Sequence, residues 1–574
     1  MALSKLVLLA GSLAAALVAP TSARAVHDKD NNALAASVTS DVDECRLPPV
    51  LDPSADGLPN SDQLWGNRWA LQRQVERHQA IVRVPSVCYD DLGPIGEDPR
   101  WAPFDELHRV LRRTYPALHN YAKVERINKY GLVYTVPGAD PSLKPILLTA
   151  HQDVVPVQDE DAWTYPPFEG YYDGQFLWGR GASDDKNSLT ALLTTLEVML
   201  TQVPWRPRRT VVLAAGFDEE CSGYRGAARI NEVLMDRYGE EGVAIILDEG
   251  GLGVQDLGDV VYVLPAVAEK GYLDVWFDLE VGGGHSSVPP PNTAIGIMSE
   301  LVSELEANPY EPVMTRESPT WAHLACIARY SPDEIPDVTR LVHAGDLDGL
   351  AELLAAGGAE ASGAHPFSVR TSQAVDIIFG GGKINALPEK VTLGVNYRVT
   401  RDDGIDAVMH RVVKLIEPIV ERRNLSLSAF EHDGGKYHPG VTRVGGAGKI
   451  SIRADQVSEP VSVSPMSGKV WDTFAGSARH SLRFDGTVVP VGEIMTGNTD
   501  TRHYLDLSPN IYRFTPAKVG SSAGVHTIDE RVDMREHMKM LGFYYDLIRN
   551  FDRVVLDDER RRRPWSADEG NEEL

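Results

Sequence analysis

The chain has 574 residues, with 82 Asp and Glu against 56 Lys and Arg, and a formal net charge of −26. This excess of acid argues against a nucleic-acid partner, which requires a basic face that displaces counterions from phosphate. The content of 43% hydrophobic and 24% charged residues is that of a globular protein, so disordered and fibrous classes are excluded. The length predicts two domains.

The first 25 residues are predicted to be a cleaved secretory signal peptide. The apolar run Leu6–Ala19 is too short to span a bilayer, which takes about 20 residues. Ala23 and Ala25 match the small residues before a signal-peptidase site, so the mature chain is expected to begin near Val26. An uncleaved signal anchor is the alternative. After cleavage we expect no stable membrane span and a location in the vacuole lumen or outside the cell.

The four cysteines are too few for a disulfide framework in so long a chain, although a secretory route would permit one bond. They are Cys45, Cys88, Cys221 and Cys326. None of them has C-x-x-C spacing, so they are not expected to bind metal.

Apolar strands alternate with amphipathic helices before residue 265. The predicted strands are Gly131–Val136, Pro145–Ala150, Thr210–Gly216 and Val243–Leu247, and the predicted helices are Asn187–Val203 and Gly226–Tyr238. This order predicts an α/β catalytic domain with a mixed, mostly parallel sheet and helices on both faces.

The pattern changes near residue 266, where apolar and polar residues begin to alternate. Leu273–Val281 and Val391–Val399 alternate in this way, and Ile405–Val420 is an amphipathic helix. Strands with one solvent-exposed face predict an antiparallel α+β domain inserted into the first domain. The segment Ala307–Gln373 is helical but weakly patterned, and we assign it no role.

The chain then returns to the first domain and ends in a helix near Asp533–Asn550. The predicted segments are the signal peptide 1–25, a loose N-terminal arm 26–62, the first part of the catalytic domain 63–265, the inserted lid domain 266–435, the second part of the catalytic domain 436–555 and a disordered tail 556–574.

Acidic and histidine residues follow three predicted strands and one Gly-rich turn. They are His151 and Asp153, Asp184 and Asp185, Glu219 and Glu220, and Asp248 and Glu249. Open α/β sheets bind ligands at the carboxyl ends of their strands. Burying so many carboxylates together is strongly unfavourable unless cations neutralise them. The pattern therefore predicts a metal site.

Six motifs lie in one order over residues 151–530. They are His151–Val157, Gly179–Lys186, Phe217–Gly223, Leu247–Gly251, Gly284–Ser287 and Val525–Glu530. In these motifs the chain resembles the M20 metallopeptidases, specifically the carboxypeptidase S (Gly-Xaa carboxypeptidase) branch, which also includes N-acyl-amino-acid hydrolases. The resemblance implies that the lid is ferredoxin-like and that a homodimer can form through it.

The resemblance also implies two Zn²⁺ ions per subunit, bridged by Asp184. His151 and Asp248 would complete one site, and Glu220 and His526 would complete the other. Such a mixture of imidazole and carboxylate ligands suits zinc.

Two of these ligands have alternatives. Related enzymes use either acid of the Asp248-Glu249 pair. His503 is a nearby rival to His526, which we prefer because His526-x-x-x-Glu530 matches the family.

Three further residues receive catalytic roles from the resemblance. Asp153 would orient His151, and Glu219 would be the general base that takes a proton from the attacking water and passes it to the leaving nitrogen. His285 would come from the lid and stabilise the oxyanion when the domains close.

The implied reaction is cleavage of the amide bond next to a free C-terminal carboxylate, as in a carboxypeptidase that acts on short peptides. Arg398 and Asn385 on the lid are the candidates that hold this carboxylate. The alternative is an N-acyl-amino-acid hydrolase or synthase, which resembles an aminoacylase. The substrate would then be an N-acyl amino acid.

The sequence also raises two other classes of function, a serine hydrolase and a non-catalytic binding protein. Gly520–Gly524 matches G-x-S-x-G, the nucleophile elbow of serine hydrolases, with Ser522 as nucleophile, but the preceding strand is poor and no helix is predicted to follow. A non-catalytic binding protein on the same fold would be expected to lose Glu219 or a metal ligand, and this chain keeps all of them.

Overall fold

The computed structural model describes residues 45–202, 205–431, 441–483 and 486–556, together with residue 559. The predicted signal peptide, the first half of the predicted arm and nearly all of the predicted tail lie outside these residues. No helix in this part of the chain is long and apolar enough to cross a membrane.

The α-helices of the described residues are α1 (Ser61–Trp65), α2 (Arg68–Val82), α3 (Ala102–Thr114), α4 (Pro116–Tyr121), α5 (Lys186–Thr201), α6 (Ala227–Tyr238), α7 (Ala294–Glu306), α8 (Pro319–Tyr330), α9 (Pro336–Ala344), α10 (Leu347–Ala355), α11 (Ile405–Arg422), α12 (Gly468–Ser481) and α13 (Met534–Arg553). The strands are β1 (Lys123–Ile127), β2 (Gly131–Val136), β3 (Ile146–His151), β4 (Tyr171–Tyr172), β5 (Phe176–Trp178), β6 (Val211–Gly216), β7 (Ile245–Asp248), β8 (Gly253–Leu257), β9 (Val260–Leu264), β10 (Ala266–Glu269), β11 (Gly271–Val281), β12 (Gly284–His285), β13 (Ser372–Gly380), β14 (Ala386–Leu387), β15 (Lys390–Val399), β16 (Ser426–Ala429), β17 (Val441–Arg443), β18 (Gly448–Ser458), β19 (Thr487–Pro490), β20 (Glu493–Met495), β21 (Ile511–Arg513), β22 (Ser522–Ala523) and β23 (Arg531–Asp533).

The central sheet has eight strands in the order β1-β2-β6-β3-β7-β21-β10-β20. Its middle strands β6, β3, β7 and β21 are parallel, and β1 and β2 are antiparallel. Every residue of β3 and β6 is buried, because α5 packs on one face of the sheet and α6 on the other. The predicted mixed, mostly parallel sheet with helices on both faces is confirmed.

A second sheet has the order β13-β15-β11-β18-β16-β17, and we call it the lid sheet. Along β11, Leu273, Val275, Phe277 and Leu279 are buried and alternate with half-buried residues. Helices α7 and α11 cover the apolar face. The alternation in the sequence therefore marks an inserted, mostly antiparallel unit, as expected.

The bounds of this unit differ from the predicted 266–435. Strand β18 lies between β11 and β16, so the lid sheet extends to Ser458, and β10 belongs to the central sheet. The buried residues of β18 are Ile450 and Ile452, flanked by exposed Lys449 and Arg453. The apolar alternation of the strand is short, because the next apolar residues, Ala454 and Val457, are only partly buried and do not continue it regularly.

Helices α8–α10 of the unassigned segment 307–373 pack on the catalytic body. Residues of α8–α10, including Trp321 and Leu324, share an apolar core with Tyr262 and Leu264 of β9. Below this core His323 Nδ1 lies 2.8 Å from a carboxylate oxygen of Glu493, and both side chains are buried. These helices form an additional layer of the catalytic body that packs against β9 and β20.

All four cysteines form disulfide bonds, Cys45–Cys326 and Cys88–Cys221. The expectation of at most one bond was wrong, because the partners are 281 and 133 residues apart in the sequence and their spacing gives no signal.

The described part of the predicted arm is also fixed. Cys45 is bonded to α8, and the carboxylate of Asp56 accepts two hydrogen bonds from Arg549 of α13, at 2.7 and 2.6 Å. Residues 45–62 are therefore not a loose arm.

Replacing Cys45 and Cys326 together by Ser should lower the free energy of unfolding by about 2–4 kcal/mol, because the bond restricts a very long loop of the unfolded chain. Thermal unfolding measures the loss. Titration of the denatured wild-type protein with a thiol reagent should find both pairs oxidised, and an unchanged melting temperature of the double variant would contradict the assigned role.

Candidate active site

The acidic motifs meet at one edge of the central sheet. His151 is the last residue of β3, Glu219 and Glu220 follow β6, and Asp248 is the last residue of β7. Because β6, β3 and β7 are parallel neighbours, their carboxyl ends bring these side chains together.

A buried carboxylate, that of Glu530, fixes the turn that carries Asp184. It accepts a hydrogen bond from the Arg180 guanidinium at 2.6 Å and from the backbone N–H groups of Gly181, Ser183 and Asp184 at 2.9, 2.8 and 3.0 Å. Four donors on one carboxylate hold the turn in a single position, so Asp184 enters the site from a rigid support.

Asp184 lies between two imidazoles. Its Oδ1 is 3.0 Å from Nε2 of His151, and its Oδ2 is 3.2 Å from Nε2 of His526. His526 Nε2 is also 3.0 Å from Oε2 of Glu220. The two oxygens of one carboxylate thus face two different nitrogen ligands, which is the arrangement expected of a bridging residue.

At the end of β7, Glu249 and not Asp248 reaches the histidine. Oε1 of Glu249 is 3.2 Å from Nε2 of His151. Asp248 is buried and lies opposite Arg513 in the register of β7 and β21. Consecutive residues of an extended chain point to opposite sides, so only one acid of this pair can face His151.

Among the residues that the structure describes, two groups of side chains have ligand atoms close enough for a metal ion, within 4.8 Å of one another. They are His151, Asp184 and Glu220, and His151, Asp185 and Glu249. Asp185 also caps α5, since its side chain accepts a hydrogen bond from the N–H of Ser188 at 3.2 Å.

Asp153 supports both sides of the cluster. Its Oδ1 lies 3.3 Å from Nδ1 of His151, and its two oxygens accept the N–H groups of Glu219 at 3.2 Å and Glu220 at 3.0 Å. One buried carboxylate therefore positions the imidazole and the backbone of both glutamates.

Crowding changes the pKa values of these groups. Burial raises the pKa of Glu220 to about 7, against a hydrogen bond from His526. It also raises the pKa values of Glu219 and Glu249. Burial also favours a higher pKa for Asp184. Hydrogen bonds from His151 and His526 outweigh it and keep the pKa of Asp184 below the usual range.

The donor set fits divalent cations. Two imidazole nitrogens and several carboxylates converge, as in catalytic zinc sites. A positive ion would relieve the repulsion that raises the pKa values of the glutamates.

A cavity of about 500 Å³ lies over the cluster, between the catalytic body and the lid sheet. Its walls are formed by Asp90, Asp184, Glu219, Glu220, Ser222, Glu249, Tyr272, Asp274, Arg398, Gln456, Met495, Gly497, Asn498, Thr499, Arg502 and His526. The cavity thus contains the predicted base Glu219 and the predicted carboxylate-binding Arg398.

His285 and Asn385 do not line this cavity. Both are exposed, and His285 belongs to the short pair of strands β12 and β14, where its Nδ1 lies 2.8 Å from Oγ of Ser287.

His503, the alternative to His526 as a ligand, and Ser522, the alternative nucleophile, both lie outside the cluster. His503 donates a hydrogen bond to the carbonyl of Ser222 at 2.9 Å. Ser522 lies in the two-residue strand β22, which pairs with β23 and is not followed by a helix. Within the described residues Ser522 has no hydrogen bond to a histidine, so the nucleophile elbow is absent there.

Sequence reasoning missed the hydrogen bonds that Glu530 accepts and the position of Arg502 in the cavity wall. Glu530 stands in the quoted motif His526-x-x-x-Glu530, but its four hydrogen bonds depend on a turn some 350 residues earlier. Arg502 stands beside His503, and the sequence shows no sign that it reaches the cavity.

The family model "Peptidase family M20/M25/M40" matches residues 147–550. Carboxypeptidase S of Saccharomyces cerevisiae is 38% identical over 501 residues, which cover 83% of this chain and 84% of that protein. N-fatty-acyl-amino acid synthase/hydrolase PM20D1 of Mus musculus is 28% identical over 485 residues, which cover 83% of this chain and 87% of that protein.

Solved structures that share the fold include these two. Human carnosine dipeptidase 1 has a TM-score of 0.60 at 14% identity and covers 88% of this chain and 100% of its own. The M20 family metallo-carboxypeptidase Sso-CP2 from Sulfolobus solfataricus has a TM-score of 0.56 at 16% identity and covers 84% and 99%.

In protein loaded with zinc, Glu249→Gln should reduce the bound metal from about two equivalents per chain to about one, because Glu249 faces His151 and a carboxamide is a poorer ligand. Metal analysis after dialysis measures the content. The matched control is Asp248→Asn, which should keep both equivalents. Loss of zinc in the control and not in Glu249→Gln would reverse the assignment.

The metal-free protein should lose stability as the pH rises from about 5 to about 9. The pKa of Glu220 is raised from 4.5 to about 7 by burial, and that of His526 from 6.5 to about 10 by its hydrogen bonds to Asp184 and Glu220. The folded state therefore binds more protons than the unfolded chain in both windows, and its stability falls as the pH rises through them.

Bound zinc replaces these protons, so it should remove this loss. The difference in melting temperature between zinc-loaded and metal-free protein should therefore widen as the pH rises. A difference that narrows over this range would contradict the assignment of the cluster as a metal site.

Proposed function

The chain belongs to peptidase family M20/M25/M40 and is an enzyme of that metallopeptidase family, and we propose that it is a carboxypeptidase that cleaves short peptides of the Gly-Xaa type. Its relatives include proteins named carboxypeptidase, which supports this reaction.

One observation carries the proposal. The carboxylate cluster and the Arg398 guanidinium line the same cavity. A guanidinium matches the two oxygens of a carboxylate. A short peptide in this cavity would place its last amide at the cluster and its terminal carboxylate at Arg398.

We propose two zinc ions that share Asp184. His151 and Glu249 would complete one site, and Glu220 and His526 the other. Glu249, the alternative left open by the family resemblance, takes the ligand position first expected for Asp248, because Glu249 is the acid that faces His151. When bound, such a pair of cations polarises the amide carbonyl and lowers the pKa of water towards neutrality.

The chain's own residues move the proton. Glu219 lines the cavity, and burial raises its pKa, which suits a base that accepts a proton from water and donates it to the leaving nitrogen. Asp153 holds the backbone of Glu219 in place. We propose that His285 and Asn385 reach the substrate when the lid closes on it, or from the lid of a second copy in a homodimer.

The cavity supports a peptide more than a fatty-acyl substrate. Its apolar side chains are those of Tyr272 and Met495, and the exposed carboxylate of Asp90 is available for a substrate ammonium group. A long acyl chain would need an apolar groove. An N-acyl amino acid is the second candidate substrate, because the PM20D1 relative carries that activity in its name.

The two disulfide bonds support a location on the secretory route, since such bonds persist in oxidising compartments. We propose the vacuole lumen or the extracellular space, reached through the predicted signal peptide.

Zinc-loaded protein should hydrolyse glycyl-leucine faster than an N-acyl-leucine, measured side by side by release of free amino acid. Glu219→Gln should lower kcat by about 10³-fold or more, because the amide cannot accept the proton. Its zinc content should stay at the wild-type level. Undiminished turnover in this variant would remove Glu219 as the base, and failure on both substrates would remove the substrate class.

A further inference from the structure

The Arg502 guanidinium faces the cavity without an anionic partner. Arg502 is half-buried in the short 3-10 turn Asp500–His503 and is part of the cavity wall. Within the described residues, no hydrogen bond or ion pair involves its side chain, and its Nε is buried without a partner. A guanidinium carries five N–H donors, so leaving it unpaired in a half-buried position is costly.

Arg398 stands in the same wall with neutral partners. Its Nε donates to the side chain of Asn396 at 3.2 Å, its Nη1 donates to that of Asn498 at 3.0 Å, and its guanidinium stacks on the ring of Tyr272. These contacts fix the plane of the Arg398 guanidinium but do not neutralise its positive charge. Two cations therefore border one cavity. Of the acids that interact with them electrostatically, Glu269 is already paired with Arg513, and Asp274 accepts a hydrogen bond from Asn396 at 2.8 Å.

The two arginines come from different parts of the fold. Arg398 is on β15 of the lid sheet, and Arg502 follows β20 of the catalytic body. The two parts already touch here, through Arg398 and Asn498 and through Ser222, whose Oγ donates to the side chain of Gln456 at 2.8 Å. A single anion in the cavity can contact both cations.

We infer that Arg502 and Arg398 together bind the terminal carboxylate of the substrate, one from the body and one from the lid. Arg502 is thus a determinant of specificity for substrates with a free carboxylate. This inference rests on the proposed function and adds to it a second cation that remains in place when the lid moves away.

The test compares glycyl-leucine with glycyl-leucinamide, which lacks the carboxylate, by the release of glycine from each. In Arg502→Gln, kcat/KM for glycyl-leucine should fall by about 10- to 100-fold, mainly through KM, since a hydrogen bond to a charged group is lost. The value for glycyl-leucinamide should change little. Arg502→Lys keeps the positive charge but loses the planar pair of N–H donors. Its kcat/KM for glycyl-leucine should therefore lie between the values of Arg502→Gln and wild type.

Arg453→Gln is the matched control, because Arg453 is an exposed arginine of the lid sheet that stacks on Trp276 outside the cavity wall. It should leave both substrates unaffected. Zinc content and melting temperature show that each variant is folded, and Arg502→Lys replaces Arg502→Gln in the comparison if the latter does not fold.

An equal loss on both substrates, or no loss on either, in folded Arg502 variants would overturn the inference. Wild-type protein that cleaves both substrates equally would instead overturn the proposed function. If the wild type acts on N-acyl-leucine and not on the dipeptide, N-acyl-leucine and its amide give the same comparison, because that substrate also has a free carboxylate.

Discussion

Repulsion among acidic side chains at the edge of the central sheet is the constraint to which the surrounding structure responds. The acids meet there because three parallel strands end side by side. Burial makes their charges costly unless positive partners compensate. The two imidazoles on Asp184 supply part of this compensation, and divalent cations would supply the rest. The same crowding produces a glutamate with a raised pKa, Glu219, beside the ligands.

Acids outside the ligand set hold the cluster in place. Asp153 accepts backbone N–H groups from the two glutamates, and Glu530 accepts them from the turn before Asp184. Glu530 also belongs to the segment that carries His526, so one short stretch of chain provides a histidine and the support for the carboxylate that it faces. Backbone N–H groups thus provide hydrogen bonds to the carboxylates of Asp153 and Glu530, and their positions are fixed by the chain itself.

The lid sheet and the body contribute different walls of the cavity over the acidic cluster. The body provides the acidic cluster, and the lid strand β15 provides Arg398. Asn498 accepts from Arg398 and donates to the carbonyl of Lys270, between β10 and β11. Asn498 therefore links the two walls of the cavity where the chain passes from body to lid.

The sequence determined the α/β sheet, the inserted lid, the family and the acidic residues of the site, because apolar periodicity and local motifs are readable along the chain. Tertiary structure decided which acid faces His151, since neighbouring side chains of a strand point apart and the sequence does not say which points inward. It also decided the disulfide partners, the packing of 307–373, the place of β18 and the position of Arg502. These depend on contacts between residues tens to hundreds of positions apart, which leave no local pattern.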